Sequence, residues 1–255
     1  MRDRLVHHAV YRILYPYFDK KFIYDSYSCR IDKGTHKAII RFKSFARKVS
    51  LNDTRTAWVL KGDIRKFFAN IDHVILKNIF QKYIIDADVL WLLDRLISSF
   101  HTADKKEVGL PLGNLTSQLF VNIYMNEFDQ FIKRKLKVGY YIRYADDFVI
   151  FNENKIFLER LVPQLAEFLE NKLRLTLHPK KLFIKTVSSG VDFLGWVIFQ
   201  HHLVLRTSTK QRMFKRLEQN CSKESLASYT GILGHGNTFQ LIRKIKTIYP
   251  DFLFN

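Results

Sequence analysis

Apolar residues recur at helical spacing from the start of the chain, where Leu5, Val6, Ala9, Val10, Ile13 and Leu14 share one face. Pro16 is expected to interrupt this helix within residues 4–18, because it lacks an amide donor and crowds the preceding turn. A polar, turn-rich stretch over 24–35 leads into a basic helical pattern over 37–48. Residues 57–64, AWVLKGDI, break that rhythm: apolar side chains follow one another without clean alternation, as in a strand buried on both faces. Helical periodicity returns over 73–83 and 86–99. A loop over 100–113 carries Gly109, Pro111 and Gly113, after which Asn114 or Thr116 can cap a long helix. Leu119, Phe120, Ile123, Tyr124, Phe128 and Phe131 form its expected buried stripe.

Residues 140–144 and 148–151 are two short apolar runs separated by Ala145, Asp146 and Asp147, a hairpin pattern. Residues 156–173 read as a helix that Pro163 should kink, unless Pro163 marks its first turn. Residues 183–185 and 193–199 read as further strands. From Ser208 the pattern is helical and basic, punctuated by Gly231, Gly234 and Gly236. Strands interleaved with helices, followed by a helical tail, predict an α+β architecture. Its length of 255 residues suits one large domain or a core with a small appendage.

Charge changes the picture. Lys and Arg outnumber Asp and Glu by 42 to 24, a net charge of +18, which points to a polyanionic partner, nucleic acid above all. No apolar run approaches the roughly 18 residues of a membrane span, and no signal peptide is apparent, so a membrane partner is not expected. Cys29 and Cys221 belong to no metal-binding or disulfide pattern and fit a reducing cytoplasm.

Three carboxylates carry the candidate chemistry. Asp146 and Asp147 sit at a hairpin tip flanked by aromatic and aliphatic residues, where adjacent acids repel unless a cation joins them. Asp63 ends a separate apolar strand, LKGD. Brought together, the three would form a hard-oxygen site suited to Mg²⁺. A lone Asp-Asp pair would otherwise read as a solvated turn.

Tyr144-Ala145-Asp146-Asp147 resembles the YxDD box of reverse transcriptases, and GDIRKFF resembles the preceding motif with its single Asp. The order continues with the GxxxS-like segment from Gly113 to Gln118, with His178-Pro179-Lys180-Lys181, and with the primer-grip-like turn Phe193-Leu194-Gly195-Trp196. The resemblance implies an α+β right-hand polymerase: partial fingers over 1–56, a helix-backed palm sheet over 57–200 with some fingers helices inside 73–112, and a helical thumb over 201–255. It implies copying of RNA into DNA with two Mg²⁺ ions, Mn²⁺ being an alternative. The implied partners are an RNA template, a DNA or RNA primer and deoxynucleoside triphosphates, with a small basic accessory protein as a further one.

The resemblance also assigns roles. Asp63, Asp146 and Asp147 would hold the metals. Phe68 would be the steric gate against a ribose 2′-hydroxyl, although Phe67 is an equal choice on periodicity alone. Gly113 would let backbone approach the nucleotide, with Gln118 nearby. Lys181, with Lys180 as the alternative, would neutralise or protonate pyrophosphate. Gly195 and Trp196 would hold the primer end. Arg30, in YSCRIDKGTH, resembles a fingers arginine that touches template or triphosphate. Each has a plainer reading: core Phe, loop Gly, surface Lys, buried strand Trp, solvated Arg.

Leu112-Gly113 and Ser117-Gln118 replace the QG and SP pairs common in the family, and this GxxxSQ form resembles enzymes of diversity-generating retroelements. Retron-like or group II intron-like enzymes are the alternative. RDRLVHHAV resembles a stretch that follows a basic fingers hairpin, so that hairpin is expected before residue 1 or from another chain. A catalytically weak nucleic-acid-binding protein on the same scaffold is the rival reading.

Overall fold

A computed structural model describes residues 2–100, 102, 106–219 and 221–249. The last residues of the basic tail, 250–255, and part of the 100–113 loop lie outside the described residues.

Four antiparallel strands form the central sheet in the order β2-β3-β1-β4: β1 Trp58–Asp63, β2 Tyr141–Tyr144, β3 Asp147–Asn152 and β4 Phe183–Thr186. Both faces are covered, which explains the unbroken apolar runs. Leu60, Phe148 and Ile150 join one core with α1 (Arg2–Asp19), α3 (His73–Gln81), α4 (Ala87–Ser98), α5 (Leu115–Gln130) and α6 (Lys155–Leu173). Val59, Val149 and Phe151 join a second core with α2 (Thr35–Val49), a small sheet, and helices α7 (Thr207–Gln219), α8 (Lys223–Leu233) and α9 (Phe239–Ile248). The small sheet is antiparallel, β5-β6-β7, from Val191–Phe193, Trp196–Ile198 and Leu203–Leu205. Among the described residues, no helix is long and apolar enough to cross a membrane.

Three expectations change and one alternative is decided. Pro16 lies inside α1, which runs on to Asp19; Pro163 lies within α6, the first of the two places expected for it, and not in its first turn. Each proline is exposed, as are Arg12 and Glu159, the residues four earlier whose carbonyls lose their helical donor. Helix α5 is buried nearly all round rather than along one stripe, with Asn122, Asn126 and Asp129 drawn inside. The strand expected over 193–199 is a hairpin. Leu194 and Gly195, both with positive φ, turn Phe193 back onto Trp196.

Candidate active site

Strand β1 delivers Asp63, and the β2–β3 hairpin delivers Asp146 and Asp147. The register sets Asp63 directly opposite Asp147, on the same face as Lys61 and Val149. The packing that permits this depends on Gly62. A β-carbon there would come within 2.2 Å of the Phe148 ring, which crosses beneath it. Ala145 and Asp146 form a two-residue turn between paired Tyr144 and Asp147. Ala145 takes φ 53, a conformation that costs a non-glycine residue free energy and is held by its surroundings.

Those surroundings are a buried polar network. Arg143 and Asp129 form a two-armed ion pair at 2.8 and 2.7 Å, both side chains almost fully enclosed. The Tyr141 hydroxyl donates to the same carboxylate at 2.7 Å. Arg143 Nη1 also donates to the Ala145 carbonyl at 3.1 Å and to Asn122 Oδ1 at 3.3 Å. The turn that carries the acids is therefore fixed from below. The signal for this in the sequence was an arginine inside an otherwise apolar strand.

The carboxylates sense one another. Burial raises the pKa of Asp146, and Asp63 adds to the rise, while the backbone of Asp146 together with Lys181 and Lys61 opposes it. Asp147 is pushed up to about 6, first by burial, with Lys61 opposing and Asp63 and Asp146 adding. Two lysines balance the charge. Lys181 Nζ donates to Asp63 Oδ2 at 2.8 Å, and its own pKa rises chiefly through that bond. The 178–181 loop is held there because the His178 amide donates to the Asp63 carbonyl at 2.7 Å. Lys61 Nζ lies 3.4 Å from Asp147 Oδ1, an ion-pair separation that leaves this buried oxygen without a hydrogen bond. Sequence reasoning passed over Lys61. An unexplained lysine two residues before Asp63 in a buried strand was its signal. Among the described residues, no three His, Cys, Asp or Glu side chains form a metal-holding cluster; Lys181 pairs with Asp63 and Lys61 with Asp147.

Phe67 and Phe68 separate cleanly. Phe67 is buried in the first core, whereas Phe68 is half-buried at its rim, in edge contact with Phe67 at 5.5 Å. The Phe68 carbonyl accepts from Leu110 N at 2.9 Å, tying it to the strand of chain that leads to Gly113. Gly113 has φ +93, and a β-carbon there would meet no other atom. Its need for glycine is conformational rather than a close approach within the protein. Gly113 and Gln118 share a cavity of about 1000 Å³ with Arg4, His7 and His8 of α1. His7 braces this wall, with Nδ1 2.7 Å from Thr116 Oγ1.

Two assigned residues face inward. The Arg30 guanidinium is enclosed, bonding Asp19 at 2.7 Å, the Ile23 carbonyl at 2.7 Å and Ser26. It braces the 19–30 segment instead of facing template or triphosphate. Trp196 is 2% exposed, and its ring lies where a β-carbon on Gly236 would sit. It fastens the small sheet to the C-terminal helices and presents no free ring to a primer end. Gly195, at the turn, has open space on one side, with only Thr209 Oγ1 nearby.

The sequence model of the family described as "Reverse transcriptase (RNA-dependent DNA polymerase)" matches residues 1–198. The chain belongs to the reverse transcriptase family. It is similar to Protein YkfC of Escherichia coli (strain K12), 28% identical over 91% of this chain and 69% of that protein. It is also similar to the group II intron-encoded protein LtrA of Lactococcus lactis subsp. cremoris, 26% identical over 77% of this chain and 43% of LtrA. Among solved structures, telomerase from Candida tropicalis in complex with a TWJ fragment of telomeric RNA superposes with a TM-score of 0.62 at 13% identity, over 94% of this chain and 46% of that one. The Candida albicans complex gives 0.60 at 11% identity, over 98% and 47%. The fold is thus an α+β polymerase fold. The reverse transcriptase spans less than half the length of LtrA and of these telomerase chains.

Proposed function

We propose that this reverse transcriptase copies an RNA template into DNA by two-metal nucleotidyl transfer from deoxynucleoside triphosphates. One observation carries the reading: Asp63 and Asp147 oppose each other in register, with Asp146 beside them on a turn held in an uncommon conformation. The donor set suits a hard divalent cation, because Asp147 Oδ1 is buried with no hydrogen bond, only the Lys61 ammonium at 3.4 Å, and carboxylate oxygens favour Mg²⁺ or Mn²⁺. Held by Asp63, Asp146 and Asp147, a metal pair would acidify a primer 3′-hydroxyl and neutralise charge on departing pyrophosphate.

The chain's own residues supply positioning. Lys181, protonated beside Asp63 and 53% exposed, is available to bind or protonate a pyrophosphate oxygen. Phe68 offers a ring for deoxyribose to lie on. Gly113 and Gln118 line an open cavity beside α1 that this reading assigns to the nucleotide, although the three aspartates are not among its lining residues. In this reading residues 1–56 are partial fingers, 57–200 the palm and 201–255 the thumb, and the telomerase complexes with RNA support an RNA template. Primer, nucleotide and any small basic accessory protein remain parts of the same proposal.

Subfamily divides two observations. The Gly113–Gln118 segment favours a diversity-generating retroelement, whereas similarity to LtrA over 77% of the chain favours a group II intron-like enzyme. The relatives cover more sequence, so the intron-like reading is preferred here. The deciding experiment for activity is primer extension on RNA with Mg²⁺, comparing the wild type with Asp146→Asn. Extension by the wild type and none by the variant, with RNA binding kept, supports polymerisation. Equal binding and no extension by either protein supports the rival, a nucleic-acid-binding scaffold.

A further inference from the structure

Lys61 stands where a cation is wanted. Strand β1 places it two residues before Asp63 on the same face, and the register sets Val149 and Phe183 on either side of it. Its side chain is 6% exposed. An ammonium so enclosed requires a nearby anion, and among the described residues its ion-pair partner is Asp147, at 3.4 Å. The other lysine of the site differs. Lys181 is half exposed and can swing into solvent when its carboxylate is taken. Lys61 has no comparable exit between its two strand neighbours.

We infer that Lys61 is a built-in competitor for divalent cations: its ammonium holds Asp147 in the metal-free protein and opposes a metal ion that takes the same carboxylate. This inference rests on the reading of the three aspartates as the metal site. Like charges beside one oxygen repel, and the low dielectric of an enclosed site strengthens that repulsion. A metal ion arriving alone therefore meets a site already neutralised in part. A metal ion arriving with a triphosphate brings anionic oxygens that share the ammonium. Lys61 thereby makes metal retention conditional on nucleotide, and it keeps Asp147 partnered in the meantime.

The test is calorimetric titration of Mn²⁺ into the full chain without nucleic acid or nucleotide. Wild type is compared with Lys61→Met, which keeps length without charge, and with Lys61→Arg, which keeps charge. Lys61→Met is expected to bind Mn²⁺ about tenfold more tightly or better, the scale of one removed charge contact, while Lys61→Arg stays near wild type. Should Lys61→Met fail to fold, Lys61→Gln measured by the Mn²⁺-induced rise in Tm replaces it, with a larger rise than wild type expected. Affinity or Tm gain equal to or below wild type in the neutral variants overturns the inference. Asp146→Asn separates the two levels of argument. Mn²⁺ binding that survives Asp146→Asn unchanged defeats the metal-site reading itself, whereas loss there without tightening in Lys61→Met defeats the competitor role alone.

Discussion

Arg143 Nη1 reaches past its own ion pair to the carbonyl oxygen of Ala145, 3.1 Å away, and so couples a fully buried charge to the turn bearing Asp146 and Asp147. A buried ion pair is often replaceable by apolar groups without loss of stability. Its retention beside a turn with positive φ is therefore more informative about positioning than about stability.

Arg143→Met should destabilise the fold by about 3–5 kcal/mol, since Asp129 is left buried and unpaired. Adding Asp129→Leu should restore much of that stability. Primer extension, however, should remain at least about tenfold below wild type in the double variant, because nothing then holds the Ala145 carbonyl. Denaturant unfolding and extension rates measured on the same preparations check this. Full recovery of activity with stability would reduce the network to packing.

The basic face of α7 makes a separate prediction. Lys210, Arg212, Lys215 and Arg216 are exposed, while Met213 and Leu217 pack inward. A face of this kind contacts phosphate backbone without reading sequence. Neutralising the four together should weaken template–primer binding and flatten its dependence on salt, with much less effect on turnover at saturating template. Binding measured by anisotropy across a salt series checks it. An unchanged salt slope would count against the proposed thumb.

His36 and His235 pack with ring centroids 3.7 Å apart and planes tilted by 34°, joining the start of α2 to the turn after α8. Burial and the neighbouring ring both lower the pKa of His36 from its ordinary 6.5. The folded protein thus binds this proton less readily than the unfolded chain does. Stability from the contact is present above about pH 6.5 and is lost as pH falls through and below that value. Protection factors in residues 223–249, that is exchange rates corrected for the intrinsic pH dependence of amide exchange, should fall on acidification in wild type. In His36→Gln the fall should be smaller, and equal pH dependence of protection in both proteins would refute the coupling.

The central strands and their acids were legible because buried antiparallel strands have few ways to read. LKGD and YADDF each put an acid at the end of an apolar run, and the pairing of Asp63 with Asp147 follows once those strands are neighbours. Helix existence was legible too, but Pro16 misled, since α1 runs on through it, at an exposed position, to Asp19. Side-chain direction was the least legible part. Arg30 and Trp196 sit in segments that resemble functional motifs, yet long-range partners, Asp19 and Gly236, turn them inward. Lys61 was missed because a lone lysine in a strand has no local pattern. Only the register reveals what it faces.

Phe68 is proposed to lie beneath the sugar. Its ring is half-buried, and its neighbour Phe67 is enclosed in the core, so the two rings divide the work that periodicity alone left undecided. The Phe68 carbonyl is fixed by Leu110 N, and the ring leans edge-on against Phe67, so it cannot withdraw cheaply from a clash. With the sugar seated on this ring as proposed, a deoxyribose would fit, whereas a 2′-hydroxyl would overlap it. Phe68→Ala should therefore admit ribonucleotides, relaxing selectivity substantially while largely sparing incorporation of deoxynucleotides. Phe67→Ala should instead cost about 3–5 kcal/mol of stability through the cavity it leaves, with sugar selectivity kept by whatever protein folds. Competitive incorporation of dNTP and rNTP on one RNA template, run with wild type and both variants, distinguishes the two. If Phe68→Ala is folded and active and still rejects ribonucleotides as wild type does, another residue is the gate, and the case for DNA synthesis loses its best single side chain.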